Sequence, residues 1–503
     1  DSTTRKKLEM RFGFVDDLYS HFFFHGFDLL SKGGNLSYIS SKTFWTIQTK
    51  KNLRELLLSK QLDYVYDTSN PFDSAMVDTC IVMASQESPG RKARFLSKGE
   101  SYALPTSIGF FQELFESTVN NVFFPPTRAN LEIHRKFNEP LKRLMTEWWP
   151  RIRTSAEKSK HRELIGEYTQ TLEAGHLALL GTVVDGGQGM ATGNNGRYLG
   201  VLASSKLAVK TKTQREKKIT EVLLRHDIGT LGSSEAEILA KLRAASEPLI
   251  FELVENLKQK FGRDVLGKGF IYRIVDDSLV QEVSGMDEDA KVNGLDSEQC
   301  FVPYDKGDRD GNSWILPTPF YIDWSRSMVS ELKASSGKKD PGSAVVRNPQ
   351  FYFRPGVCWI LTLNESSEYL KARMREAGVF DVNAMSVFLE NGLISEKFLV
   401  ALLNSYFIFK FKKVFVNNTS AFQINDAKQL PIVIPSRQQL AKFEEIFDRA
   451  ASIKARQYQA KVIDDEIRGD LRRIQHELDL EVLGLYGLEP MADLMPAGEV
   501  SEI

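Results

Sequence analysis

The chain has 503 residues, 42% of them hydrophobic and 26% charged, with a formal net charge of −1. This length suggests about three domains, and the near-neutral charge gives no global case for a nucleic-acid partner, so any such case rests on local clusters. The longest apolar runs, "ALLGTVV" and "FLVALL", fall short of the ~20 residues of a membrane helix, and no signal-peptide pattern opens the chain. Cys80, Cys300 and Cys358 are too scattered for a disulfide framework or a zinc site. These features predict no membrane role, no metal centre and a reducing cytoplasm.

The chain opens on Asp1, and "DSTTRKKLEMRFGFVDDLYSHFF" reads like the middle of a domain, so a fragment of a longer protein is expected. In "VDDLYSHFFFHGFDLLSKGG", Leu18, Phe22, Phe23, Leu29 and Leu30 fall at near-helical spacing, and Gly33-Gly34 ends the helix. Strand "NLSYIS" follows, then an amphipathic helix carrying Leu53, Leu56 and Leu57, then two β-rich runs, "LDYVYDT" and "VDTCIVMA". Helix, strand, helix, strand, turn, strand predicts the closing half of an open α/β sheet. Ligands bind beyond the carboxyl ends of the strands in such sheets, so the loops after "LSYIS" and "LDYVYDT" are the expected site. The turn before "VDTCIVMA" carries one aromatic, Phe72.

The stretch "FDLLSKGGNLSYISSKTFWTIQTKKNLRELLLSKQLDYVYDTSNPFDSAMVDTCIVMAS" resembles the post-catalytic half of the gamma-class adenine-N6 DNA methyltransferases of the Taq type. It is similar as well to the fused methyltransferases of type IIG restriction-modification and BREX phage-defence systems. Lys32-Gly33-Gly34, the Phe44-Trp45 pair and the aromatic before "VDT" carry the resemblance. It implies a class I S-adenosylmethionine-dependent methyltransferase sheet, with S-adenosyl-L-methionine as cofactor of the parent protein and Phe44, Trp45 and Phe72 as site residues. Phe72 would be the face on which an extruded adenine stacks; the alternative is a plug for the sheet end. The family's Asp-Pro-x-Cys-Gly-x-Gly loop and Asn-Pro-Pro-Tyr or Phe motif do not occur here. In the family order both precede residue 1, so this chain alone is expected to transfer no methyl group.

Residues 89–172 shift to a helical pattern and predict a connector, in which Trp148-Trp149 beside Arg151 and Arg153 either faces a phosphate backbone or packs. Residues 151–162 hold five Lys or Arg against one Glu, and residues 206–218 six against one; each is either a solvated face or a phosphate contact. "LLGTVVDGGQGMATGNNGRYLGVLA" resembles the opening of a target-recognition domain, at Gly189, Thr192, Gly193, Asn195 and Tyr198. Its glycines and amides suit an anion nest, or an ordinary hairpin. Lys210, Lys212, Lys217 and Lys218 follow as phosphate ligands, ahead of a helical insertion at about 215–262, and the acidic 276–298 stretch should point away from DNA.

Further on, Tyr304, Lys306, Trp314, Arg347, Tyr352 and Trp359 match two β-rich segments of the same enzymes, some of them necessarily core; Lys306 and Arg347 are the DNA-binding candidates. "LVALLNSYFIFKFKKVFVNNTSAFQINDAKQLPIVIPS" resembles a family helix, then a strand, then an "LPIPIP" run. In it Lys410, Lys412 and Lys413 alternate with aromatics like a phosphate-tracking surface.

The expected fold is thus an α/β half-sheet over residues 1–88, a helical connector over 89–172, a mixed α+β target-recognition domain over 173–435 and C-terminal helices over 436–503. The resemblance implies a site-specific DNA adenine-N6 methyltransferase of a restriction-modification or phage-defence system. Double-stranded DNA would be its partner, with other defence subunits or a phage inhibitor as further ones. The alternative is a non-catalytic DNA specificity or phage-inhibitor-binding subunit.

Overall fold

A computed structural model describes residues 2–72, 77–98, 105–267, 269–308, 311–338, 343–364, 367–460 and 465–496. The chain divides into two compact units, one of residues 1–185, 362–370 and 390–503, the other of residues 186–361 and 371–389. Segment 390–435, expected in the recognition domain, therefore packs in the first unit.

The first unit begins with helices α1 (Ser2–Phe12) and α2 (Leu18–Leu29), strand β1 (Asn35–Ser41), helix α3 (Lys51–Leu58) and strands β2 (Gln61–Ser69) and β3 (Thr79–Ser85). Strands β4 (Ala93–Ser97) and β5 (Thr106–Phe110) complete a sheet of order β1-β3-β2-β4-β5. β3 runs antiparallel to both β1 and β2, so those two point the same way. Alternation drives the packing: Cys80, Val82 and Ala84 of β3 are buried, while Ile81 and Met83 on the other face are half-exposed. Phe23, Phe27, Leu53 and Leu57 from α2 and α3 close the buried face.

Three expectations are corrected here. The buried side of α2 is Ser20, His21, Phe23, Gly26 and Phe27, whereas Leu18, Phe22 and Leu29 of the expected stripe are 59%, 60% and 72% exposed. Gly26 sets that choice, since a Cβ there would meet Leu36 at 2.8 Å and Tyr38 at 2.9 Å. The sheet also runs on into the segment read as a helical connector, because Ala93 and Phe95 alternate inward from β4. Finally, the expected strand after "LLNS" is a helix, Tyr406–Phe411, continued by a π-turn, Lys412–Val416. Phe407, Ile408 and Phe411 are buried at helical spacing, and the Ser405 hydroxyl caps the helix by accepting from the Ile408 N–H.

Leu177–Leu179 pairs antiparallel with Pro431–Val433, and the helices Arg437–Ala460 and Asp465–Leu485 pack on each other. The long helix Arg128–Ile152 carries Trp148 inward, stacked 4.3 Å from Tyr168, so this tryptophan packs rather than facing a phosphate.

In the second unit a five-stranded sheet joins Val379–Phe380, Phe301–Asp305, Phe320–Asp323, Leu199–Leu202 and Arg273–Val275 in that order. Helices Lys206–Arg225, Glu235–Ala244 and Glu247–Phe261 lie between its strands in the chain, so the helical run starts at Lys206. Gly356–Ile360 pairs antiparallel with both Arg373–Arg375 and Ala384–Leu389. Tyr304, Trp314, Tyr352 and Trp359 are all core. No helix among the described residues is long and apolar enough to cross a membrane.

Candidate nucleic-acid interface

Because β1 and β2 are parallel, their carboxyl ends reach the same edge of the sheet. There Ser41 pairs with Thr79, and its hydroxyl caps the short helix Lys42–Trp45. The Lys42 ammonium lies 3.0 Å from both oxygens of Asp67 and 3.8 Å from Asp78, and the Lys42 N–H donates to the Asp78 carbonyl. Thr79 bonds Thr68 at 2.7 Å. Asp78 and Thr79 therefore serve local satisfaction.

From this knot the chain leaves through Asn70, Pro71 and Phe72. Phe72 is 47% exposed, and its N–H donates to Asn70 Oδ1 at 3.3 Å. Phe44 and Trp45 stand corrected as site residues: both are core, Phe44 edge-on to Phe123 and Trp45 edge-on to Phe95. Buried in the core, the two rings present no face to a base.

Two residues that sequence reasoning missed hold the loop after β1. Arg54, fully buried, donates to the carbonyls of Phe44, Ile47 and Asn120 at 2.7–2.9 Å, and burial pushes its guanidinium down to about 10. A lone arginine on the apolar side of "NLRELLL" was the available signal. Asn418 contacts the loop as well, bonding Lys42 and Thr46; only the fold brings it there.

The glycine-rich loop of the second unit is organised inward. A Cβ on Gly186, Gly189 or Gly196 would strike the carbonyl oxygens of Ser386 at 2.1 Å, Phe380 at 1.9 Å or Ile271 at 2.6 Å. These glycines therefore admit the protein's own backbone. The Met190 and Ala191 N–H groups bond Phe380 and Val345, Thr192 donates to Asn195 at 2.5 Å, and Asn194 accepts from Lys258 at 3.0 Å. Gly193 adopts φ +69°, which favours glycine. Of the expected anion nest, the Met190 and Ala191 amides and the Thr192, Asn194 and Asn195 side chains are thus committed within the protein.

The predicted cations divide sharply. Lys210, Lys212 and Lys217 are exposed on the helix Lys206–Arg225, with Lys210 5.0 Å above the Phe270 ring and Lys217 3.9 Å from Glu221. Lys218 instead donates to the Leu266 and Gly269 carbonyls, and burial lowers its pKa. Lys306 bonds the Tyr272 hydroxyl and lies over its ring; Arg347 is exposed and donates to Gln188 at 2.6 Å. In the first unit, Lys410 bonds the Asp493 carbonyl, Lys412 is wholly buried on the Thr419 carbonyl at 2.6 Å, and Lys413 reaches the Asn418 carbonyl at 3.4 Å. Burial holds Lys412 well below the ordinary lysine range, with Lys413 adding to the effect. A phosphate-tracking role for Lys412 is thereby corrected, because the helical turn points it inward where a strand would have left it outside.

The comparisons with known proteins give the following. Residues 2–73 match the family model described as Eco57I restriction-modification methylase. No curated protein matches the chain. Among solved structures the chain is similar to the type IIL restriction-modification enzyme MmeI in complex with DNA, at 9% identity over 98% of this chain and 53% of that one, with a TM-score of 0.46. It is similar to the DrdV–DNA complex at 9% identity over 86% and 39%, with a TM-score of 0.36. For the type IIG restriction endonuclease BpuSI the values are 11% over 96% and 52%, with a TM-score of 0.22. The chain spans less than two thirds of each of these proteins.

Proposed function

We propose that this chain is the later part of a site-specific DNA methyltransferase of a restriction-modification or phage-defence system, acting on the adenine N6 amino group. One observation carries the reading. The segment that matches restriction-modification methylases, residues 2–73, is folded as α1 to β2 and runs out, past the paired strand ends, onto the exposed ring of Phe72. An enzyme that modifies a base inside duplex DNA has to extrude it, and an extruded base needs an aromatic face in place of its lost stacking. Phe72 supplies that face.

The sheet itself supports a larger parent domain. Among the described residues β1 pairs with β3 alone, and Ile39 and Tyr64 are 51% and 37% exposed on the face away from the packed core. Unpaired strand edges beside apolar surface call for a partner.

S-adenosyl-L-methionine is the methyl donor on this reading. Its Asp-Pro-x-Cys-Gly-x-Gly loop does not occur in this sequence, and the glycine-rich loop does not cradle it, because the backbones of Ser386, Phe380 and Ile271 pack against Gly186, Gly189 and Gly196. What this chain contributes is a stacking face and cations for the phosphate backbone, Lys210, Lys212 and Lys217 foremost.

A gel-shift titration of the 503-residue chain on duplex DNA, run over a range of salt, tests the binding half. The expected result is binding that weakens steeply with salt, together with no methyl transfer by this chain alone. Absence of any duplex affinity, or robust methylation, contradicts the reading.

A further inference from the structure

The loop after β1 is clamped from far along the chain. Asn418, 8% exposed, donates from Nδ2 to the Lys42 carbonyl at 2.6 Å. The Thr46 hydroxyl donates to Asn418 Oδ1 at 2.9 Å and accepts from the Asn418 N–H at 2.9 Å, across 372 positions of sequence. This reciprocal pair fixes which end of the amide is oxygen. All three polar groups used belong to one residue, and all bind one short loop.

Asn418 is itself held firmly. The π-turn Lys412–Val416 ends with the Asn417 N–H on the Lys412 carbonyl, and Asn417 Oδ1 accepts both the N–H and the hydroxyl of Thr419. Asn417 Nδ2 donates to Asp426 at 2.9 Å, while Lys412 and Lys413 bond the carbonyls of Thr419 and Asn418. The buried lysine that cannot reach a phosphate is a brace for this turn.

On its other side Lys42 grips a residue on each side of Phe72 in the chain. Its ammonium binds Asp67 at the end of β2, and its N–H binds the Asp78 carbonyl just before β3. Asn418 fixes Lys42, and Lys42 fixes Asp67 and Asp78, which flank Phe72 in the chain. We propose that Asn418 is a positioning residue for base extrusion, holding these flanking residues so that the Phe72 ring stands where an extruded base can stack. This rests on the stacking role proposed for Phe72. A site of this kind has to be held within about 0.5 Å of its productive geometry by the residues behind it.

The test uses the full-length parent protein and two target duplexes, one with adenine for kcat and KM and one with 2-aminopurine at the modified position, whose fluorescence rises when the base leaves the duplex stack. Asn418→Ala should lower the extrusion equilibrium and kcat by about tenfold, the scale of losing two ordinary hydrogen bonds, while KM for DNA stays unchanged. Thr46→Val should do the same and Thr46→Ser should behave as wild type; the Asn418→Ala/Thr46→Val double variant should lose little more than either single one. Two results overturn the proposal while leaving stacking intact, provided Phe72→Ala abolishes the signal: normal extrusion in Asn418→Ala and Thr46→Val, or DNA affinity falling in step with extrusion. If Phe72→Ala leaves the fluorescence unchanged, the stacking reading fails and takes this proposal with it.

Discussion

Phe72 sits with nearly half its surface in solvent at a strand end where apolar residues are otherwise buried, and this exposure separates its two readings. If it stacks on an extruded adenine, Phe72→Ala in the full-length protein should lower methyl transfer by roughly 1–3 kcal/mol, and Phe72→Trp should retain most of it. A mismatch opposite the target adenine should partly rescue the alanine variant, because flipping then costs less. Methylation assays on matched and mismatched duplexes, run beside thermal melting, check this; a destabilised alanine variant without rescue would return Phe72 to a packing role. Among the cations, Lys412→Met should leave the salt dependence of DNA binding unchanged, since the ammonium is wholly buried on a carbonyl. The sequence offered Lys410, Lys412 and Lys413 as an alternating row, and alternation is the strand's period. The same residues satisfy a helical pattern through Phe407, Ile408 and Phe411, and only tertiary packing decides between the two.

At the scale of elements, the order of helices and strands from α2 to β3 was legible because each has its own period and a clear stop. β4 and β5 were not, since short strands inside a polar, helix-rich stretch give no sustained pattern. The glycine-rich loop was recognisable as a loop, but its inward purpose was not, because the carbonyls its glycines admit come from residues 271, 380 and 386. The helix Lys206–Arg225 now carries the strongest electrostatic expectation. Lys210 and Lys217 are seven apart and share one face, whereas Lys218 is tied to carbonyls. Replacing Lys210 and Lys217 by Gln should reduce the slope of log K against log salt by about 2 and weaken all duplex sequences alike. Lys218→Gln should leave that slope as it is. In the same helical spirit, Arg54→Met removes three bonds to carbonyls beneath the candidate site and should cost on the order of 2–4 kcal/mol in a denaturant titration.

At the scale of the molecule, buried charge makes the fold sensitive to pH. Asp479, 1% exposed, accepts from the Tyr406 N–H at 2.7 Å and from Gln475 at 3.2 Å, yet burial pushes its carboxyl up to about 7. The folded state therefore keeps this proton to about pH 7, whereas the unfolded chain releases it in the ordinary aspartate range near pH 4. The folded state binds more protons across that window, so this group's contribution to stability falls as pH rises through it and levels off above about 7. Asp479→Asn should abolish that fall, giving a variant more stable than wild type at pH 8 by on the order of 2–4 kcal/mol and equal to it near pH 4. Thermal melts across that range check the sign.

Among the described residues the edge of β1 is unpaired and Ile39 and Tyr64 stand exposed, and both belong to the central claim, the proposal that this chain works within a larger DNA adenine methyltransferase. The most direct measurement is nucleoside mass spectrometry of duplex DNA incubated with the full-length protein and S-adenosylmethionine. The account predicts N6-methyladenine, formed in a specific sequence context and strongly reduced by Phe72→Ala. Methylated cytosine, or unmodified DNA in the presence of folded, DNA-bound protein, would contradict it.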